Sequence, residues 1–308
     1  MIRARSLSRR FGPLLAVDDL SFEVEPGTIL GFLGPNGAGK STTMKMLTGF
    51  LEPSSGTAEI FGHDIRSDGL AARRRLGYLP EGAPLYGELN VERFLAFVGE
   101  ARGFRREELR RRVHAAIDRL SLGEVAGQTI ETLSKGFKRR VGIAQAILHD
   151  PPALILDEPT DGLDPNQKHE VRRLISEMSS DKIMIISTHI LEEVDALCTR
   201  AMIIARGRLV ADDTPEGLLK RSRYHNAVTL KLDDPQEAAS RLGALPEAAA
   251  VEIRRGRLTV FPSGRGNLFE MVTRETQAAG WRVFQVQLES GRLDEVFREV
   301  TGAEERAA

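Results

Sequence analysis

The stretch Gly34-Pro35-Asn36-Gly37-Ala38-Gly39-Lys40-Ser41 fits the spacing G-x-x-x-x-G-K-[ST]. Glycines let a backbone turn tightly and point successive N–H groups into one concavity that can hold phosphate oxygens. Lys40 adds a point charge suited to β- and γ-phosphates, and Ser41 offers a hydroxyl to a phosphate-bound Mg²⁺. The apolar run Ile29-Leu30-Gly31-Phe32-Leu33 before the loop reads as a buried strand, and Thr42 to Leu51 after it as a helix. The loop therefore lies at a helix N-terminus, where the dipole favours anions, and its expected ligand is a nucleoside triphosphate. A glycine turn with a chance lysine fits this setting poorly.

Further reactive groups stand at the ends of apolar runs. Ala153-Leu154-Ile155-Leu156-Asp157-Glu158 is a continuous apolar strand ending in two carboxylates, as a parallel sheet buried on both faces produces. Ligands bind at the carboxyl ends of such strands, so Asp157 and Glu158 are expected at the same sheet edge as the phosphate loop. Lys182 to Ser187 is a second such strand, with Thr188-His189 at its end. A lone histidine is usually structural; this position moves His189 toward function. Leu76 to Pro80 is a further strand, ending beside Glu81. Leu133-Ser134-Lys135-Gly136-Phe137 leads into an apolar helix, where Ser134 reads locally as an N-cap and the Gly136 N–H could join it in holding an anion. Phe11, before Gly12-Pro13, is either a loop aromatic folded onto the core or a flat face for a nucleobase.

The elements that must position these groups alternate between strand and helix. Between Leu89 and Leu120 the spacing is helical, with Val91, Phe94, Leu95 and Val98 on one face. The runs Arg73-Arg74-Arg75 and Arg110-Arg111-Arg112 are diluted by Glu107, Glu108 and Asp118 and read as solvated faces rather than a nucleic-acid surface. A net charge of −1 likewise gives no global attraction for nucleic acid or anionic lipid. No apolar run approaches the length of a membrane helix, so any membrane role must come through a partner. The single cysteine, Cys198, reads as a small buried helix residue. Polar residues Lys220 to Asn226 mark a domain boundary. Beyond it the order β-α-β-β-α-β plus a closing helix is ferredoxin-like, with Leu293, Val296, Phe297 and Val300 on one helical face.

Taken in this order, the motifs resemble the nucleotide-binding subunit of ATP-binding cassette (ABC) transporters. The resemblance covers residues 1–222 in detail and the remainder loosely. Gly34 to Ser41 resembles the Walker A loop, Leu154 to Glu158 the Walker B strand with its adjoining glutamate, and Leu133 to Phe137 the LSGGQ signature. Asp164 matches the D-loop aspartate, His189 the switch histidine, Phe11 the adenine-stacking aromatic and Glu81 the Q-loop position. Three residues depart from the family pattern: Glu81 and Phe137 replace glutamines, and Lys135 replaces a glycine. The strings around Glu81, Ser134 and Asp164, and the ending Leu293-Asp294-Glu295-Val296-Phe297, are similar to the branch holding gliding-motility-associated ATPases and drug-, polysaccharide- and copper-pathway export cassettes.

The resemblance implies an α/β P-loop cassette over residues 1–222, with a mixed sheet core and a helical subdomain at about 83–150, then a small ferredoxin-like α+β domain over 223–308. It implies ATP and Mg²⁺ as ligands, with the loop residues Gly34 to Thr42 and Phe11 holding the nucleotide. Ser41, Asp157 and Glu81 are the implied metal ligands, and Glu158, His189 and Lys40 the catalytic groups. Ser134, Gly136 and Asp164 would act across an interface with a second cassette, a homodimer being expected. The implied partner is an integral membrane permease, with the chain peripheral on the cytoplasmic face and driving export. An ABC ATPase acting on a ribosome or DNA is the alternative. The former usually pairs two cassettes in one chain and the latter interrupts the cassette with a coiled coil; this sequence has one Walker A loop and no sustained heptads.

Overall fold

The computed structural model describes residues 1–82 and 84–302; Ala83, where the helical subdomain is expected to begin, and residues 303–308, the end of the expected second domain, lie outside the described residues. The chain divides into two compact units, Met1–Asp212 and Asp213–Ala308.

The first unit opens with a long hairpin, β1 (Ile2–Phe11) and β2 (Leu14–Val24), followed by β3 (Ile29–Leu33) and α1 (Lys40–Leu47). Helix α1 is shorter than the pattern from Thr42 to Leu51 predicts. Thr48 caps it and Gly49 turns to a positive φ of 73°, which only glycine adopts without cost. Next come β4 (Ser55–Ile60), β5 (His63–Asp64), α2 (Gly69–Arg74) and β6 (Leu76–Leu79). Helices α3 (Val91–Ala101), α4 (Arg106–Arg119) and α5 (Lys135–Ile147) form the helical part, and the unit closes with β7 (Ala153–Asp157), α6 (Pro165–Met178), β8 (Ile183–Thr188), α7 (Leu191–Leu197), β9 (Arg200–Ala205) and β10 (Arg208–Asp213).

Two sheets result. One is antiparallel, in the order β2-β1-β4-β5, and the other has the order β10-β9-β3-β8-β7-β6 with parallel pairing from β9 to β6. Strands β3, β7 and β8 are buried at every position, which is why they read as unbroken apolar runs rather than alternating ones. Met44 and Met46 of α1 share one core with Leu7 and Leu20 of the first sheet and Phe32, Ile155 and Ile185 of the second. Gly31 in β3 has a packing reason: a Cβ there would lie 2.8 Å from Cys198 Sγ. Burial pushes the Cys198 thiol up to about 12, so it fills space and is not a nucleophile at neutral pH. The helical part is tied to the parallel sheet by Gln145 Nε2, which donates to the Tyr78 carbonyl at 2.7 Å.

The second unit contains α8 (Pro215–Leu219), β11 (Val228–Leu232), α9 (Pro235–Leu242), β12 (Ala248–Arg254), β13 (Arg257–Pro262), α10 (Leu268–Ala278), β14 (Val283–Leu288) and α11 (Leu293–Thr301). Its sheet order, β12-β13-β11-β14, is antiparallel throughout and is the ferredoxin-like arrangement predicted from the element order. Val228, Leu230, Leu258 and Val260 form the sheet side of its core, covered by Ala238 and Leu242 of α9 and Leu268 and Val272 of α10. Leu293 and Val296 of α11 are buried, the face predicted to pack.

Candidate functional site

The parallel strands fix where the reactive groups emerge. Leu33 pairs with Thr188 and Asp157 with Ser187, so the ends of β3, β8 and β7 stand in one row. The phosphate loop, Glu158 and His189 all leave the sheet at that row. There they line a cavity of about 650 Å³ with Phe11, Pro35 to Thr42, Glu81 and Asp161.

The loop is held by backbone contacts that exclude larger residues. A Cβ at Gly34 would lie 2.5 Å from the Ile204 carbonyl oxygen, and one at Gly39 2.6 Å from that of Ala16. Gly39 also has φ 108° as the residue preceding α1. The Gly207 N–H donates to the Ala38 carbonyl at 2.9 Å, fastening the loop to the β9–β10 turn. Lys40 is buried, and its Nζ donates to the carbonyls of Gly34 at 2.6 Å and Pro35 at 3.3 Å. Burial pushes its ammonium below the ordinary value; Glu158, 4.0 Å away, then Asp157 and Glu81 pull it back.

Asp157 is fully buried; its Oδ1 accepts from Ser41 Oγ at 3.4 Å and its Oδ2 has no hydrogen-bond partner among the described residues. Glu158 is buried with a left-handed φ of 50°, held by its own N–H donating to the Ser187 carbonyl at 2.9 Å. The backbone twist aims its carboxylate at His189, whose Nδ1 lies 2.9 Å from Oε2 and 3.0 Å from Oε1. A carboxylate only accepts, so Nδ1 is the donor in this contact. Phe11 is 43% exposed, with the Arg9 guanidinium 4.7 Å from its ring centroid. It stands on the cavity rather than folding into the core.

Ser134, Gly136 and Asp164 are not among the residues that line this cavity. Ser134 caps α5, its Oγ accepting from the Phe137 N–H at 3.3 Å, and Asp164 caps α6, accepting from the Gln167 N–H at 2.9 Å. Gly136 lets these two helix starts approach: a Cβ there would lie 2.9 Å from Gln167 Cδ. The sequence reading missed the buried Arg139, whose Nη2 donates to the Asp161 carbonyl at 3.3 Å, and the buried Glu193 behind the cavity. Both sit in charged stretches that look like solvated helix faces, and no local signal marks them.

A buried lysine in a glycine cradle, beside two strand-end carboxylates, defines a nucleoside-triphosphate-binding α/β protein. Residues 17–161 match the family described as ABC transporter. The chain is 34% identical over 305 residues to the daunorubicin/doxorubicin resistance ATP-binding protein DrrA of Streptomyces peucetius, covering 98% of this chain and 92% of that protein. It is 37% identical over 223 residues to the probable multidrug ABC transporter ATP-binding protein YbhF of Escherichia coli K12; this covers 72% of the chain but 38% of YbhF. A solved structure of an ATP-binding subunit of an ABC transporter superposes with a TM-score of 0.65 at 32% identity, covering 72% of this chain and 92% of that one. The chain belongs to the ABC transporter family and carries its ATP-binding cassette.

Proposed function

We propose that this chain powers an exporter: two copies close around ATP, and the closure is delivered to a separate membrane permease from the cytoplasmic side. One observation carries the two-copy reading. The cavity has a complete phosphate-holding wall, whereas Ser134 and Gly136 present a second helix N-terminus that does not reach it within the chain. Ser134 uses a lone pair for its cap and keeps its O–H free to donate, so capping α5 and binding the γ-phosphate of a second copy are compatible. Asp164 would lie at the same interface.

In this reading the loop N–H groups and Lys40 hold the phosphates, and Phe11 stacks on adenine. Glu158 takes the proton of the attacking water as general base, with His189 orienting it through Nδ1. The unpartnered Oδ2 of Asp157 beside the Ser41 hydroxyl suits Mg²⁺. Ser41 and Asp157 would hold it with Glu81 on the cavity wall, and the ion would neutralise charge on the phosphates. ATP favours the closed pair by binding it more tightly than separate copies, and hydrolysis removes that bias.

The permease-facing surface is assigned to the helical part. There Tyr86 and Phe97 are 55% and 49% exposed and stack edge-on at 5.4 Å between ring centroids. Export is favoured by the second unit's mixed α/β architecture and by relatives named as a probable multidrug ABC transporter ATP-binding protein and a daunorubicin/doxorubicin resistance ATP-binding protein. The permease would choose the cargo. Light scattering of the full chain carrying Glu158→Gln tests the two-copy reading: it should be monomeric without nucleotide and dimeric with ATP. A monomer saturated with ATP, in a chain whose parent hydrolyses ATP, would overturn it.

A further inference from the structure

Glu193 is a carboxylate in a place that packing alone would give to an apolar residue. It stands in the first turn of α7 at 3% exposure, beside the fully buried Val194. Its Oε1 accepts from the hydroxyl of Thr160, and its Oε2 accepts from that of Thr188 at 2.8 Å. Thr188 Oγ1 in turn accepts the Ile190 N–H at 3.0 Å, so its single hydroxyl hydrogen is committed to Glu193. Burial pushes the Glu193 carboxyl above its ordinary value, and the Thr188 hydroxyl pulls it back. A buried carboxylate is costly unless hydrogen-bonded, and both oxygens here are satisfied by residues of two different segments.

Those segments carry the reacting pair. Thr160 lies two residues beyond Glu158, and Thr188 immediately precedes His189. They leave neighbouring parallel strands, β7 and β8, and past the strand ends Glu193 bridges them through side-chain hydroxyls. Glu193 itself does not line the nucleotide cavity. We propose that Glu193 is a positioning residue that fixes the Glu158–His189 separation by holding Thr160 and Thr188 together. This rests on ATP hydrolysis at this site, which wild-type turnover and ATP binding in the same preparation test separately.

Single-turnover hydrolysis by the full chain, which can follow slow variants for hours, reads the effect. Glu193→Ala should lower the rate constant about tenfold while the ATP concentration for half-saturation stays within about twofold. In a His189→Ala background the same substitution should lower the remaining rate less than about twofold, because there is no pair left to align. Glu193→Gln should stay within about threefold of wild type, since its amide can accept from Thr188 and donate to Thr160. If Glu193→Ala does not fold, Thr160→Val keeps the shape, removes one hydroxyl and should couple to His189→Ala in the same way. An unchanged rate in Glu193→Ala, or an equal loss with and without His189, would overturn the proposal.

Discussion

Two helix starts in this chain carry glycine, lysine and serine, yet they are built for different company. At the N-terminus of α1, Lys40 is buried and folded onto the loop carbonyls, with Asp157 and Glu158 behind it. At the N-terminus of α5, Ser134 and Lys135 are exposed and only Gly136 is buried. The first start is fixed by its surroundings, its lysine held on the Gly34 and Pro35 carbonyls and its loop fastened to the β9–β10 turn. The second is held by its own cap, by the close approach of Gly136 to Gln167 and by Arg139 behind it, and its serine and lysine face outward. Preorganisation on one side and exposure on the other suit the two halves of the proposed shared site.

The most direct way to break this comparison is to block the exposed start. Ser134→Arg should abolish hydrolysis while a single copy still binds ATP with near-normal affinity, read by fluorescent-nucleotide titration beside a turnover assay. Equal loss of binding would show that Ser134 serves the nucleotide of its own chain. Breaking the enclosed half chemically gives the next largest effect. Glu158→Gln keeps the volume and the contact to His189 but removes the proposed base, so turnover should fall at least ~10²-fold with ATP binding retained. Near-normal turnover would remove the general-base role.

The enclosed half was legible because its chemistry and its fold are written in the same residues. The run Ala153 to Glu158 states both a doubly buried strand and two carboxylates at its end, and the loop spacing implies the helix that follows. The order of elements after Val228 was legible too, and with it the ferredoxin-like sheet. Glu193 and Arg139 were not. Each is a charged residue in a helix with other charged residues beside it, and only the packing of β8 against β7 and of α5 against the Asp161 turn shows that they are buried. Helix α2 was missed for the opposite reason: it is six residues long, with Ala72 alone buried, and offers no apolar period to read.

Phe11 sharpens the comparison on the nucleoside side. Its ring stands half-exposed on the cavity, with Arg9 on the aromatic face. Stacking on a base is worth roughly 1 kcal/mol or more, so Phe11→Ala should raise the ATP concentration for half-saturation about fivefold with the maximal rate little changed. Phe11→Tyr should restore it. A fall in maximal rate instead would place Phe11 in closure of the pair rather than in holding the base.

The smallest expected effect belongs to Glu81, and its sign is the informative part. Glu81 is exposed on the cavity wall, and its charge favours the protonated, cationic form of Lys40. Removing it has two opposed consequences. If Glu81 helps to hold Mg²⁺ as proposed, its loss should raise the Mg²⁺ concentration for half-maximal turnover about threefold, a modest change because phosphate oxygens and waters supply most ligands of that ion. A negative charge facing the incoming phosphates is also lost, which should tighten ATP binding measured without Mg²⁺. Glu81→Gln separates the two, since it discards the charge but keeps an oxygen that can face the ion. If Glu81→Ala and Glu81→Gln both tighten metal-free ATP binding and only Glu81→Ala raises the Mg²⁺ requirement, Glu81 is a metal-side residue. If neither moves the Mg²⁺ titration, its part is electrostatic, and the metal rests on the enclosed half of the site alone.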